Sequence, residues 1–153
     1  MRWWFFLAVL LAARGAAFGK EVPLAAVGPG YLVVRAKVCR EGVQMDRHLL
    51  LDLMCPVPLI YFQQEALFLG IRADGASVDL ELGEGTLRAV PVRLARPRLL
   101  MTITRDHASE LKEVPVAGIL GWDAFRGFRL RIDPVAMRLD LLAEAQGGDE
   151  PEQ

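Results

Sequence analysis

The chain has 153 residues, 53% of them hydrophobic, with 18 basic and 19 acidic side chains and a formal charge of −1. That size and apolar content suit one compact domain with an ordinary core. The balanced charge leaves neither a basic footprint for nucleic acid nor an acidic tail of any size, so no nucleic-acid partner is expected.

Met1 to Gly19 reads as a secretory signal peptide: Arg2 supplies the charge, Trp3 to Ala13 is apolar throughout, and Gly15-Ala16-Ala17 or Ala17-Phe18-Gly19 offers small residues for cleavage. An apolar run of about eleven residues falls short of the twenty or so that a spanning helix needs. The expected location is exported, periplasmic or extracellular, with no membrane span after signal removal. Residues 20–145 form the expected domain. Export makes a disulfide between Cys39 and Cys55 chemically possible. Their separation along the chain argues against it, because a Cys39 that faces a residue near Leu49 leaves Cys55 roughly 20 Å further along a strand.

Glu21 to Gly30 is a lead-in containing Pro and Gly. Tyr31 to Cys39 then sets Val34, Ala36 and Val38 against Arg35 and Lys37, the period of a half-exposed strand. Glu41-Gly42 turns the chain, and Arg47 to Asp52 returns as a more buried strand. The stretch Leu49-Leu50-Leu51-Asp52-Leu53-Met54-Cys55-Pro56-Val57-Pro58-Leu59-Ile60 follows, an apolar run interrupted by one carboxylate and bent by two prolines. Pro56 and Pro58 exclude a helix and a central strand, so Asp52 to Pro58 is a loop. A lone Asp there is costly if buried without partners, so it is held by hydrogen bonds in a turn or placed where charge is used. Tyr61 to Leu69 has helical spacing at Phe62, Ala66 and Leu69 and stops at Gly70.

Ala76 to Leu82 alternates, Gly83-Glu84-Gly85 turns, and Thr86 to Leu94 alternates again, giving a second hairpin. Pro97 to Ile103 reads as a further strand, and Thr104 to Glu110 as a polar loop. Asp106, His107 and Glu110 lie in that loop without a Cys or a second His, so no metal site is expected. His48 reads as a surface or packing residue. In Val114 to Phe125, Gly118 and Gly121 allow close backbone passage and Asp123 is placed to cap a short helix, Trp122 to Phe128. Phe128 to Asp133 alternates, Pro134 turns the chain, and Met137 to Leu141 returns. Gln146 to Gln153 is a polar tail, expected to be disordered.

Three of these stretches resemble the retropepsin-like aspartic peptidases, the kind of exported aspartyl-protease-like protein found in bacteria. Leu50-Leu51-Asp52 fits the strand leading to the family's Asp-Thr/Ser-Gly turn, and Val57, Leu59 and Ile60 fit its exit. Where the family has Thr, Gly, Ala and Ser, this chain has Leu53, Met54, Cys55 and Pro56. Gly118-Ile119-Leu120-Gly121-Trp122-Asp123-Ala124-Phe125 resembles the family's Gly-Ile-Leu-Gly element, which packs beneath the catalytic turn, and Glu65 to Ile71 resembles the stretch after that turn. The likeness runs from about Tyr31 to Leu142. It implies a mainly β fold, a retropepsin-like closed or partly closed β-barrel of about six or seven strands with two short helices. It also implies that Gly83, Glu84 and Gly85 match the flap over a substrate, although an ordinary exposed turn fits them equally.

Aspartic peptidases hold two carboxylates so close that they share one proton, and a chain of this size carries one, so two copies must meet across a two-fold axis. Leu53 lacks the family's hydroxyl and Met54 adds a side chain where the family has none. The leading expectation is a degenerate, non-catalytic homologue acting by binding or assembly, with a possible homodimer and a peptide or protein ligand as partners and no cofactor. An active homodimeric endopeptidase using Asp52 as its catalytic residue is the alternative. A small β-barrel that binds an apolar ligand is the second.

Overall fold

The computed structural model describes residues 19–27, 31–95 and 116–143. The secretory signal, the strand at Pro97 to Ile103, the polar loop with Asp106, His107 and Glu110, and the tail from Gln146 lie outside the described residues. Among these residues there are nine strands: β1 Lys20–Val27, β2 Tyr31–Arg40, β3 Val43–Asp52, β4 Leu59–Phe62, β5 Ser77–Leu82, β6 Gly85–Ala95, β7 Val116–Gly121, β8 Phe128–Asp133 and β9 Arg138–Ala143. One helix, α1 (Gln63–Phe68), and a 3-10 turn (Trp122–Phe125) complete the described elements. No helix among them is long and apolar enough to cross a membrane.

The fold is mainly β, and six strands close into a barrel. β2 pairs with β3, β3 with β7, β7 with β4, β4 with β6, β6 with β5, and β5 returns to β2. Closure removes the free edges from these six strands. The β2–β3 hairpin turns on Glu41 and Gly42, both at positive φ (49° and 81°), which matches the twist of the flanking strands. On β2 the expected alternation holds: Val34, Ala36 and Val38 are buried, while Arg35 and Lys37 face outward to Asp46 and Glu81. Leu49, Leu59, Tyr61, Ile71, Leu80, Leu82 and Leu120 fill the interior, so the barrel is a packed core.

A second sheet grows from one corner. β1 changes partner midway: Leu24 to Val27 pairs with β2, whereas Lys20 to Pro23 pairs with β9, which pairs in turn with β8. Pro23 sits at the changeover, where a missing N–H does least harm to a ladder. Asp140 lies on the outer side of this sheet, only 3% exposed, and accepts from Arg131 Nε (2.9 Å) and Nη2 (2.6 Å). Arg138 Nε approaches Asp140 Oδ1 to 3.5 Å without hydrogen-bond geometry, and its Nη1 reaches Glu21 at 3.1 Å. A carboxylate so covered needs these cations to offset its lost hydration.

Several sequence expectations need correction. The helix expected over Tyr61 to Leu69 begins only at Gln63, because Tyr61 and Phe62 are claimed by β4, which pairs with Leu94 and Ala95 of β6. Its other end is as expected: Gly70 takes φ +67°, Gly70 N–H donates to Leu67 O and Ile71 N–H to Ala66 O, while Arg40 Nη1 donates to Leu69 O at 2.9 Å. The second helix is a single 3-10 turn and stops at Phe125. Asp123 does not cap it: Gly121 holds the N-cap position without a side-chain bond, and the Asp123 carboxylate pairs with Arg126. The lead-in is in large part strand β1. Cys39 pairs in register with Gln44, and both cysteines are free thiols.

Candidate functional site

Around Asp52 three strands interleave. β3 and β4 are joined by the loop from Leu53 to Pro58, yet they do not pair with each other: β7 lies between them, parallel to β3 and antiparallel to β4. Asp52 stands opposite Gly121, Leu51 opposite Leu120, and Leu50 opposite Ile119. Ile119 and Leu120 are buried and Leu51 packs against the same core, so the expected neighbours are in place.

The two glycines of β7 make this crossing possible. A Cβ at Gly121 would stand 2.1 Å from Val57 O and 2.6 Å from Cys55 O, and one at Gly118 would stand 2.3 Å from Ile60 O. A side chain would therefore push the loop backbone off β7 at Gly121 and push β4 away at Gly118. With hydrogen there instead, Gly121 N–H donates to Pro58 O (3.0 Å) and Trp122 N–H to Cys55 O (3.1 Å), which fastens both ends of the loop to β7.

Asp52 closes its own turn. Met54 N–H donates to Asp52 Oδ1 at 3.0 Å, and Cys55 N–H donates to Asp52 O at 3.1 Å. The residue is half-buried at the mouth of the barrel, so one carboxylate oxygen serves the turn and the group still meets water. Beyond it Met54 projects, 91% exposed, and Trp122, 54% exposed, begins the 3-10 turn beside the loop. Leu53 packs against the core, where a hydroxyl would gain nothing. The exposed Trp122 was not singled out from sequence; its position directly after Gly121, at the buried end of β7, is the signal that marks it.

The Gly83-Glu84-Gly85 tip of the β5–β6 hairpin is fixed elsewhere. Glu84 N–H donates to Glu21 O at 3.1 Å, Glu21 N–H reaches Glu84 Oε2 at 3.4 Å, and Gly83 packs so closely that a Cβ would stand 2.5 Å from Glu21 O. Gly85 lies under Leu141 in the same manner. The tip is thus held by β1 and β9. Farther back on the hairpin, Asp79 accepts from Ala89 N–H (2.8 Å) and Arg88 (3.0 Å), which pins Ala89 at φ +49° beside a bulge and lowers the Asp79 pKa.

At the start of β3, a cavity of about 250 Å³ is lined by Asp46, Arg47, His48, Glu65, Val116 and Ala117. His48 lines it as a half-buried strand residue. Arg47 Nε pairs with Glu65, and the fully buried Tyr61 hydroxyl has no hydrogen-bond partner among the described residues. Burial, and then the Glu65 carboxylate, push the Tyr61 pKa up to about 12. Burial also pushes the Cys39 thiol up, so it is not a reactive thiolate. Among the described residues no three His, Cys, Asp or Glu side chains come together as metal ligands.

A single carboxylate tied to its own turn can bind water or a donor, but sharing a proton requires a second carboxylate beside it. Comparison with known protein families, with curated proteins and with solved structures returned no match.

Proposed function

We propose that this is an exported protein on a retropepsin-like frame that has lost peptidase chemistry and acts by binding or assembly. The observation that carries the reading is the clasp of β7 against the Asp52 loop, with Gly118 and Gly121 packed on backbone carbonyls while Met54 projects from the turn into solvent. The geometry that positions an aspartate is kept. The residues that would let a second copy approach it and a substrate lie upon it are replaced by Leu53 and Met54. The Gly83 to Gly85 tip is bound to β1 on one side, which suits a fixed wall better than a moving flap. Binding of an apolar ligand inside the barrel finds less support, since the interior is filled by aliphatic side chains and Tyr61.

The test is purified protein incubated with a denatured protein substrate from mildly acid to neutral pH, beside Asp52→Asn. No cleavage by either is expected. Cleavage by the wild type that disappears in Asp52→Asn overturns the reading in favour of a homodimeric endopeptidase. Leu53→Thr with Met54→Gly is the least change from which any activity could be regained.

A further inference from the structure

β8 is the last strand of the nine, paired with β9 on one side and, among the described residues, with nothing on the other. An unpaired edge offers every second N–H and C=O to an incoming strand. Phe128, Leu130 and Ile132 alternate along it, each packed against the core but only partly covered. Arg129 and Arg131 alternate on the other face. Arg129 has no ionic or hydrogen-bonding partner among the described residues, and Arg131, though bonded to Asp140, remains 64% exposed.

We propose that this edge takes up an extended peptide segment in which acidic and apolar residues alternate, adding it as a tenth strand. The apolar residues would finish covering Phe128, Leu130 and Ile132, and the acids would meet Arg129 and Arg131. Charge decides between occupants. A second copy is disfavoured, since a two-fold antiparallel pairing centred on Arg129, Leu130 or Arg131 sets arginine opposite arginine in each case. The chain's own segment after β9, Glu144-Ala145-Gln146-Gly147-Gly148-Asp149-Glu150-Pro151, has the charge but no large apolar residue, and its proline breaks a ladder. The chain already contains one strand of the fitting type. β5 reads Val78-Asp79-Leu80-Glu81-Leu82 and lies against the basic β2, with Glu81 at 3.2 Å from Lys37 Nζ. This surface is remote in sequence from the Asp52 turn and stands whether or not that turn retains chemistry.

The experiment titrates the isotopically labelled protein with a short acetylated peptide carrying glutamate at alternate positions between valine and leucine. Two controls replace its glutamates by lysine or methylate its backbone nitrogens along one edge. Saturable binding with amide shifts centred on Phe128 to Asp133 is expected, weakened roughly tenfold or more in both controls. Arg129→Glu should weaken the acidic peptide by a similar factor and improve the lysine peptide, whereas Arg93→Glu, an exposed charge change on β6, should alter neither. No binding, shifts centred elsewhere, or a methylated peptide that binds as well as the parent would each overturn the proposal, the last by reducing it to charge attraction without strand addition.

Discussion

At Asp52 and again at Asp133 a strand ends in a carboxylate whose Oδ1 accepts N–H groups from the turn that follows, and a large apolar side chain then stands in solvent. Asp52 accepts from Met54 (3.0 Å), and Asp133 from Val135 (3.0 Å) and Ala136 (2.8 Å); Met54 is 91% exposed and Val135 94%. The local device is the same one, a short polar side chain standing in for a backbone acceptor. What differs is the support. Beneath Asp52 runs β7, with Gly121 pressed on loop carbonyls and Gly118 on a carbonyl of β4, whereas Asp133 closes the tip of a hairpin at the end of a sheet. An aspartate bonded into its own turn is therefore no sign of chemistry by itself. The clasp beneath it is what distinguishes the first turn from the second.

The sharpest way to break that comparison is to fill the clasp. Gly121→Ala sets a methyl group 2.1 Å from Val57 O, a contact that neither strand nor loop can relieve without separating. Overpacking of a core typically costs about 1 to 3 kcal/mol, and a clash against backbone belongs at or above the upper end. Gly127, just before β8, has φ +83° and open space around it, so Gly127→Ala incurs only the conformational penalty of about 1 to 2 kcal/mol. Chemical denaturation of both variants checks the order. Equal losses would mean that the glycines of β7 are ordinary.

Side chains beneath the two turns should rank likewise. Leu120 is fully buried opposite Leu51, and Leu120→Ala should cost roughly 2 to 5 kcal/mol. Ile132, one residue before Asp133, is only partly covered, so Ile132→Ala should cost less than half as much. If thermal melting places Leu120→Ala with the wild type, β7 does not lie under the Asp52 loop in solution.

The barrel was legible because most of its strands alternate between Gly and Pro turns. Val34, Ala36 and Val38 read inward, and Glu41-Gly42 and Gly83 to Gly85 turned the chain as expected. β4 was not legible: Leu59 to Phe62 is four residues long, runs directly into α1, and owes its extended form to β6 and β7 on either side. β1 was obscured by Pro23, a residue that argues for a loop until two different partners are known to share the strand. At the site, residue types told only that Gly118 and Gly121 allow close backbone passage; that this element runs under Asp52 was what the family resemblance implied. The pinned hairpin tip was not legible, because no local pattern reports that Glu84 and Glu21, 63 residues apart, would meet.

The smallest expected effect concerns protons, and it isolates the Asp133 turn. The Ala136 N–H above all, helped by that of Val135 and by the nearby Arg138 and Arg131 charges, favours the ionised carboxylate and lowers the Asp133 pKa. A depressed folded-state value means that the unfolded chain binds the proton more tightly. The turn's contribution is therefore fully present above the unfolded value of about 3.9 and is lost as pH falls through the lower folded value. Because the group is open to water, the loss should register as fraying of the β8–β9 tip before any global unfolding. Carboxyl carbon shifts followed by NMR should show Asp133 titrating below the ordinary range, with the Val135 and Ala136 amides moving in the same step. In Asp133→Asn that step should vanish while both amides keep an acceptor, so the hairpin should hold at acid pH at least as well as the wild type. An Asp133 that titrates at the ordinary value would mean that the Val135 and Ala136 N–H groups do not hold its carboxylate in solution.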